Sequence, residues 1–429
     1  MKIRRLVTVA LVASVVGVLG WVMSDTSEAQ GNVVILQGTN KKLKLKRKKT
    51  YLLRGGVFIK KVLNIQSGTQ IFAEAGAFLV VDRGARIKAE GTIEDPIVFT
   101  SAQPEGDRRR GDWGGLIFNG NAPINVPGGA AEGEGDTGLY GGGASSNAAD
   151  DSGFMRFVRV EYGGFAISPD NELNCIALQG VGNTTDIQFI QAAWGGDDGI
   201  EMFGGTVNLK NIVATGASDD SIDWTEGWSG KVQFAVVQQR GDEADAGMEC
   251  DNSGENHNLT PRSAPKMANV TLIGAPDPAT GPGSTRGILL RVGTHGQFRN
   301  FIVMGFKNVG LEIRDAATFA GFDAGTLALR GFIFFNNRLN NPNIAAGATT
   351  DAMTTHGAKV MQSVDPLLAD PFDTVSPDFR PQAGSPALDA ANVEAQFPND
   401  SFFVAAPYVG AFDANTDWTL GWTTWVFGD

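Results

Sequence analysis

Between Asn174 and Glu312 an apolar residue returns again and again inside the same polar frame. The frame reads Asp197-Asp198-Gly199-Ile200-Glu201, then Asp219-Asp220-Ser221-Ile222-Asp223, then Asp245-Ala246-Gly247-Met248-Glu249. Looser copies follow at Thr285-Arg286-Gly287-Ile288-Leu289 and Asn308-Val309-Gly310-Leu311-Glu312. Counted from Ile176, the steps between the aliphatic positions are 24, 22, 26, 40 and 23 residues. Such a period marks a solenoid. A second series of alternating triplets keeps pace with it: Ile187-Gln188-Phe189, Val207-Asn208-Leu209, Val232-Gln233-Phe234 and Val270-Thr271-Leu272, at steps of 20, 25 and 38. Short period-two runs bounded by Gly, Asn and Asp predict half-buried strands and leave no room for helices between them. One coil cannot bury its own apolar edge, so coils must stack, with strands about 4.8 Å apart. The expectation is an all-β chain folded as a parallel β-helix, with Ile176, Ile200, Ile222, Met248 and Ile288 in one interior column.

The same alternation extends the solenoid over residues 63–337, through Leu63 to Ile71, Ala77 to Val81, Ala85 to Ala89, Pro96 to Phe99 and Gly111 to Phe118. Pro127 to Ser152 is rich in Gly, Ala, Ser and Asp and reads as a loop projecting from one bend; Asp251 to Pro265 and Ala275 to Ser284 read as further excursions. Insertions in a solenoid gather on one face, which is often where partners bind. After Asn337 the period is lost, and residues 338–429 are expected to form a C-terminal cap, with Trp418, Trp422 and Trp425 covering apolar surface at the open end.

Residues 1–29 stand apart. Lys2, Arg4 and Arg5 precede an apolar run from Leu6 to Met23, and Ser27-Glu28-Ala29 fits the small-x-small rule, so a bacterial signal peptide cleaved after Ala29 is expected. An uncleaved anchor helix is the alternative, because the run is near spanning length. No other segment is long and apolar enough to span a bilayer, so the mature chain should carry no transmembrane span and be secreted, periplasmic or held at the cell surface.

Composition sharpens this picture. The 56 glycines among 429 residues favour a turn-dense β protein. The formal charge of −12 points away from nucleic acid, yet it is unevenly spread. Residues 30–62, an N-terminal cap or first coil, contain no acid and crowd together Lys41, Lys42, Lys44, Lys46, Arg47, Lys48, Lys49, Arg54, Lys60 and Lys61. These charges either guard an open sheet edge or form a foot for an anionic surface such as lipopolysaccharide, wall polymer or acidic glycan. Cys175 and Cys250 lie three coils apart, roughly 14 Å along the axis, beyond the approximately 7 Å Cα limit of a disulfide. Both are expected to be buried thiols.

Stacking in this register brings Asp197, Asp219 and Asp245 together at one bend, with Asp198, Asp220 and Asp242 close by, and sets Glu201, Asp223 and Glu249 in a second outward column. Three explanations remain open. The acids hydrogen-bond backbone at the bends; or Asp197, Asp219, Asp220, Asp242 and Asp245 hold a hard cation, for which Ca2+ with its 6–8 oxygen ligands is suited; or Asp197, Asp198, Asp219 and Asp220 include a catalytic acid and its partner carboxylate. Trp113, Trp194, Trp224 and Trp228 near the acidic bends suit sugar stacking or coil packing. His257, His295 and His356 have no metal-pair spacing.

The coils from Asp197 to Gly205 and from Ser218 to Trp224, with Gly227-Trp228-Ser229-Gly230, Gly111 to Phe118 and Ser385-Pro386-Ala387-Leu388-Asp389, are similar to a group of exported bacterial right-handed β-helix proteins of the pectin-lyase-like superfamily. That resemblance implies a right-handed parallel β-helix with N- and C-terminal caps and a connection with polysaccharides or the cell surface. Polygalacturonases share the superfamily, and Gly196-Asp197-Asp198-Gly199 resembles their Gly-Asp-Asp-Cys segment, with Gly199 in place of Cys. The nearest likeness to their Gly-His-Gly, Thr294-His295-Gly296, lies four coils beyond Asp198, and no Arg-Ile-Lys follows it. The expected role is therefore binding or structural, through Trp194, Trp224, Trp228, Glu201, Asp223 and Glu249. Polysaccharide cleavage is the alternative: a lyase would present Lys210, Lys231, Arg240 or Arg291 opposite the acids, and a hydrolase two carboxylates in a cleft.

Overall fold

The computed structural model describes residues 33–168, 171–339, 343–344 and 359–428. The expected leader with its cleavage site, and His356, lie outside them. The aliphatic positions of the repeated frame stand opposite one another in parallel ladders, Ile176 to Ile200 to Ile222 to Met248 to Ile288, and all five are fully buried. The column runs further in both directions, through Leu116, Leu79 and Val57 on one side and Leu311 on the other. Burial of a stack without gaps is what gives a single coil its stability, since each coil completes the next one's core.

Each coil has three faces. The first is a short strand, such as Ile200–Phe203, Ile222–Thr225 or Ala246–Cys250. The second and third are the two halves of one longer strand, such as Asp186–Ala193, Asn208–Thr215, Lys231–Gln238 or Lys266–Ile273. The corner between the halves is a single residue that drops out of the pairing with positive φ: Phe189 at 51°, Asn211 at 54°, Phe234 at 62°, Asn269 at 58° and Asn300 at 61°. Left-handed backbone is costly for any residue but Gly and mildest for Asn, and the corner requires it because one residue must turn the strand without a loop. Ile187, Leu209, Val232 and Met267 form the interior column behind these corners. The triplet series thus found the right strands with all three pairings displaced by two or three residues: Leu209, not Val207, faces both Ile187 and Val232, and Val270 faces Ala235.

The third face also has apolar residues pointing outward, Val213, Val236, Ile302 and Ile333. Here the structure departs from the expected cap. After Val360–Gln362 continues the ladder beside Leu327–Phe335, the chain returns along the flank as a strap. Leu368, Phe379, Val409, Phe412, Trp422 and Trp425 cover that outward surface and make a second core. The tryptophans do cover apolar surface, but it belongs to the side of the solenoid, because that is where the sequence leaves aliphatic side chains unburied. Gln191 donates to the Thr424 carbonyl at 2.6 Å, and Gly106 donates to the Gly428 carbonyl at 2.6 Å, so the strap reaches the early coils.

Two further features were not expected. Residues 127–152 are not featureless: Ala131–Gly133 and Gly138–Tyr140 form an antiparallel hairpin, joined by another at Ala166–Ser168 and Asn171–Glu172. Ala131 and Tyr140 of the first hairpin, with Ile124 and Leu173, pack on Val80, Ile117, Ala177 and Phe203, the outward side of the first face. Among the described residues a single α-helix, Ala316–Asp323, occupies one turn and is started by Asp315, whose side chain accepts from the Ala317 and Thr318 N–H groups. At the other end Val33–Leu45 pairs in parallel with Thr50–Ile65, so the basic segment is part of the first coil, whose far edge has no strand partner among the described residues.

Candidate functional site

The acidic frames converge where the third face turns into the first. An inner chain of hydrogen bonds crosses the coils: Asn174 Oδ1 accepts the Asp198 N–H at 3.2 Å, Asp198 Oδ1 accepts the Asp220 N–H at 2.9 Å, and Asp220 Oδ1 accepts the Ala246 N–H at 2.5 Å. Asp198 and Asp220 are therefore bend residues in the structural sense, but they bond the next coil rather than their own. Each still has a second oxygen to place.

That oxygen meets other carboxylates. Oxygens of Asp198, Glu201 and Asp223 lie within 4.8 Å of one another, as do those of Asp220, Asp223 and Glu249, of Asp197, Asp198 and Asp219, and of Asp219, Asp220 and Asp245. Glu201, Asp223 and Glu249 are paired in register on the outward side of the first face. Asp223 is at the centre of this lattice, and its Oδ1 is buried without a hydrogen-bond partner. Glu201 accepts from Asn174 Nδ2 at 2.5 Å. Among the described residues cations stand at one end only: Arg286 bonds Asp245 at 2.6 Å and Glu312 at 2.9 Å, while Arg291 bonds Asp251 at 2.9 Å and also Glu249.

Burial is the main force on these protons, and mutual repulsion adds to it. Together they push Asp198, Glu201, Asp220 and Asp223 well above the ordinary carboxylate range. Asp197 rises to about 7, with Glu172 and Asp219 as the nearby charges. Glu249 also rises to about 7, although Arg291 pulls it back. Beside the lattice, burial lifts Glu134 to about 7 and raises Glu226, which accepts from the Tyr140 hydroxyl at 2.8 Å. At neutral pH the group must share protons or meet a cation. Access is graded, since Asp219 is exposed and Asp197, Asp223, Asp245 and Glu249 are half-buried, while Asp198 and Asp220 are 5% and 3% exposed.

Several expected site residues fall elsewhere. Asp242 does not join the lattice; Arg110 holds it in a bidentate pair at 2.8 and 3.1 Å, which outweighs burial and keeps its carboxyl below the usual range. Trp194, Trp224 and Trp228 cannot stack on a sugar, being at most 2% exposed, and Trp113 is equally enclosed. Trp224 is two residues from Ile222 and so points inward with it, between Met202 and Cys250. Lys210 reaches the Phe402 carbonyl and Lys231 pairs with Asp400, both on the second face, and Arg240 lies under the strap. Of the four candidate bases only Arg291 adjoins the acids, and Asp251 and Glu249 overcome burial to raise its pKa further. His257 faces Asp315 at 3.4 Å rather than the lattice. Asn174, Asp251 and Arg286 belong to the site and were missed. Asn174 occupies the Asp198 position one coil earlier, which its 24-residue offset could have revealed.

Stacked three-faced coils, with an acidic lattice and a packed hairpin on the outward side of the first face, define a parallel β-helix protein of the pectate-lyase-like kind. The chain belongs to the family described as pectate-lyase like beta helix domain, whose model matches residues 37–365. Among solved structures it is similar to the Dettilon tailspike protein (gp208), with 10% sequence identity and a TM-score of 0.29 over 70% of this chain and 59% of that one. The chain thus matches about three fifths of the tailspike's length. No curated protein matches the sequence.

Proposed function

We propose that this is an exported polysaccharide-associated protein whose first-face acidic lattice binds a hard divalent cation, Ca2+ being the best fit, and through it an anionic glycan. The observation that carries this reading is Asp223, with a partnerless buried oxygen among Asp198, Glu201, Asp220 and Glu249. Calcium takes several hard oxygen ligands in irregular geometry and offsets the repulsion that otherwise keeps these groups protonated. Asp197, Asp219 and Asp245 would supply the outer, accessible carboxylates. Export rests on the leader from Lys2 to Ala29. The family's name adds the link to pectate-type polymers.

Cleavage is the second reading, favoured by carboxyls near 7 at Asp197 and Glu249, a value suited to general acid–base work. Against a lyase stands Arg291, which its two acids hold protonated when a base must release its proton. The experiment is calorimetric titration with CaCl2 beside thermal melting. Micromolar to millimolar binding with a raised Tm, both lost in Asp223→Asn, is the expected result, because a ligand of the folded state stabilises it by mass action. An unchanged Tm at millimolar calcium overturns the cation reading. Release of reducing ends or unsaturated sugars from a glycan panel would put the enzyme first.

A further inference from the structure

Under the strap, on the side of the third face, lies a cavity of about 640 Å3 bounded by the turns at Gly241 and Gly274 and by Phe372, Thr374 and Phe427. Its size falls in the range of small-ligand sites, and it is separate from the acidic lattice. Two arginines line it in different states. Arg110 is neutralised by Asp242, with Glu243 at 3.4 Å. Arg240 instead donates to three neutral acceptors, Gln238 Oε1 at 2.5 Å and the Thr374 and Trp425 carbonyls at 3.0 Å each. Among the described residues it has no carboxylate in ion-pair contact, and its guanidinium lies over the Trp194 ring at 4.8 Å. These bonds use three of its five N–H donors. Burial together with Arg110 lowers its pKa to about 10, against the pull of Asp242 and Asp373 nearby.

Two aromatic rings also line the cavity. Phe372 and Phe427 are 38% and 45% exposed, among the few large rings of this chain open to solvent, and Phe427 is braced by Trp194 at 4.9 Å. Apolar rings and a planar donor lining one cavity suit a pyranose that bears a carboxylate: the sugar's apolar face would lie on a phenyl group and the carboxylate would meet the guanidinium.

We propose that this cavity binds a uronic-acid residue of a polysaccharide, with Arg240 holding the carboxylate and Phe372 and Phe427 the sugar face. The proposal rests on the polysaccharide-associated reading and adds a second site that needs no metal. The two are separable on that ground, since the acidic lattice repels a uronate unless a cation intervenes. The test is calorimetric titration of the full chain with uronic-acid oligosaccharides and with neutral oligosaccharides of equal length, in EDTA and in calcium. Uronates should bind in EDTA, with neutral sugars, Phe372→Ala and Arg240→Lys each weaker by about tenfold, roughly the worth of one lost stacking or paired contact. Arg240→Lys keeps the charge and loses the planar fork, and both variants must melt like the parent. Equal affinity for neutral sugars overturns the anionic assignment. Binding that appears only with calcium and survives Phe372→Ala overturns the cavity and leaves the polysaccharide reading standing, whereas no binding under either condition overturns both.

Discussion

Asp198 and Asp220 are joined across neighbouring coils: the Asp198 carboxylate accepts the Asp220 backbone N–H at 2.9 Å, and Asp220 repeats the bond to Ala246. Each acid therefore has two separable properties, an acceptor that holds the next turn and a charge that its neighbours oppose. Asp220→Asn keeps the acceptor and removes the charge, so the metal-free protein should melt at or above the parent's temperature. Asp220→Ala leaves the buried Ala246 N–H unsatisfied and should cost about 1–3 kcal/mol. Chemical denaturation in EDTA measures both.

The raised carboxyl pKa values set a pH dependence. Between the ordinary carboxylate range and about 7 the folded lattice holds protons that the unfolded chain has already lost, so stability falls as pH rises through that window. Asp242, Glu312, Asp378 and Asp400, kept low by Arg or Lys partners, contribute in the opposite sense at more acidic pH. In EDTA the Tm should be higher at pH 5 than at pH 7.5, and Asp223→Asn with Glu249→Gln should flatten the difference. A Tm that rises over that interval in EDTA would sink this account of the lattice.

The first two strands and the turn between them carry exposed Lys41, Lys42, Lys44, Lys46, Lys48, Lys49 and Lys61, whereas Arg47, Arg54 and Lys60 are paired with Asp95, Glu74 and Asp82. Attraction of these lysines to an anionic polymer is screened over about 8 Å at physiological ionic strength. Retention on a heparin-type column should weaken steeply with salt, and replacing the seven lysines by Gln should abolish it. If retention is unchanged, the lysines only guard the edge.

Cys175 and Cys250 are free and enclosed, and burial pushes the Cys175 thiol up to about 12. Thiol reagents should find two groups after denaturation and none before it.

The strap should be as important as the coils. Trp422 is fully buried against the third face, so Trp422→Ala is expected to cost about 3–5 kcal/mol. Loss of intrinsic fluorescence change in parallel with coil unfolding would report whether the two cores melt together.

The column from Ile176 to Ile288 was legible because period and alternation are backbone properties, repeated in the sequence at every coil. The acids were legible for the same reason: Asp197, Asp219 and Asp245 keep a fixed offset from the aliphatic column. Asp242 was misplaced because it lies three residues before Asp245, in a turn whose path the period does not determine. The inward direction of Trp224 was available from its even spacing to Ile222 but was outweighed by its acidic neighbours. The strap was hidden altogether, since Gln191 and Thr424 are 233 residues apart and no local pattern links them.

A stack of coils held only by its neighbours behaves like a zipper that can open from either end. Here the strap lies across that zipper, bonding Asn300 through Gly410, Thr271 through Ala411, Gln191 through Thr424 and Gly106 through Gly428. Fraying of one coil therefore loosens a seam shared with coils far along the axis. The strap makes length itself cooperative, turning a one-dimensional array into a body that opens as a whole.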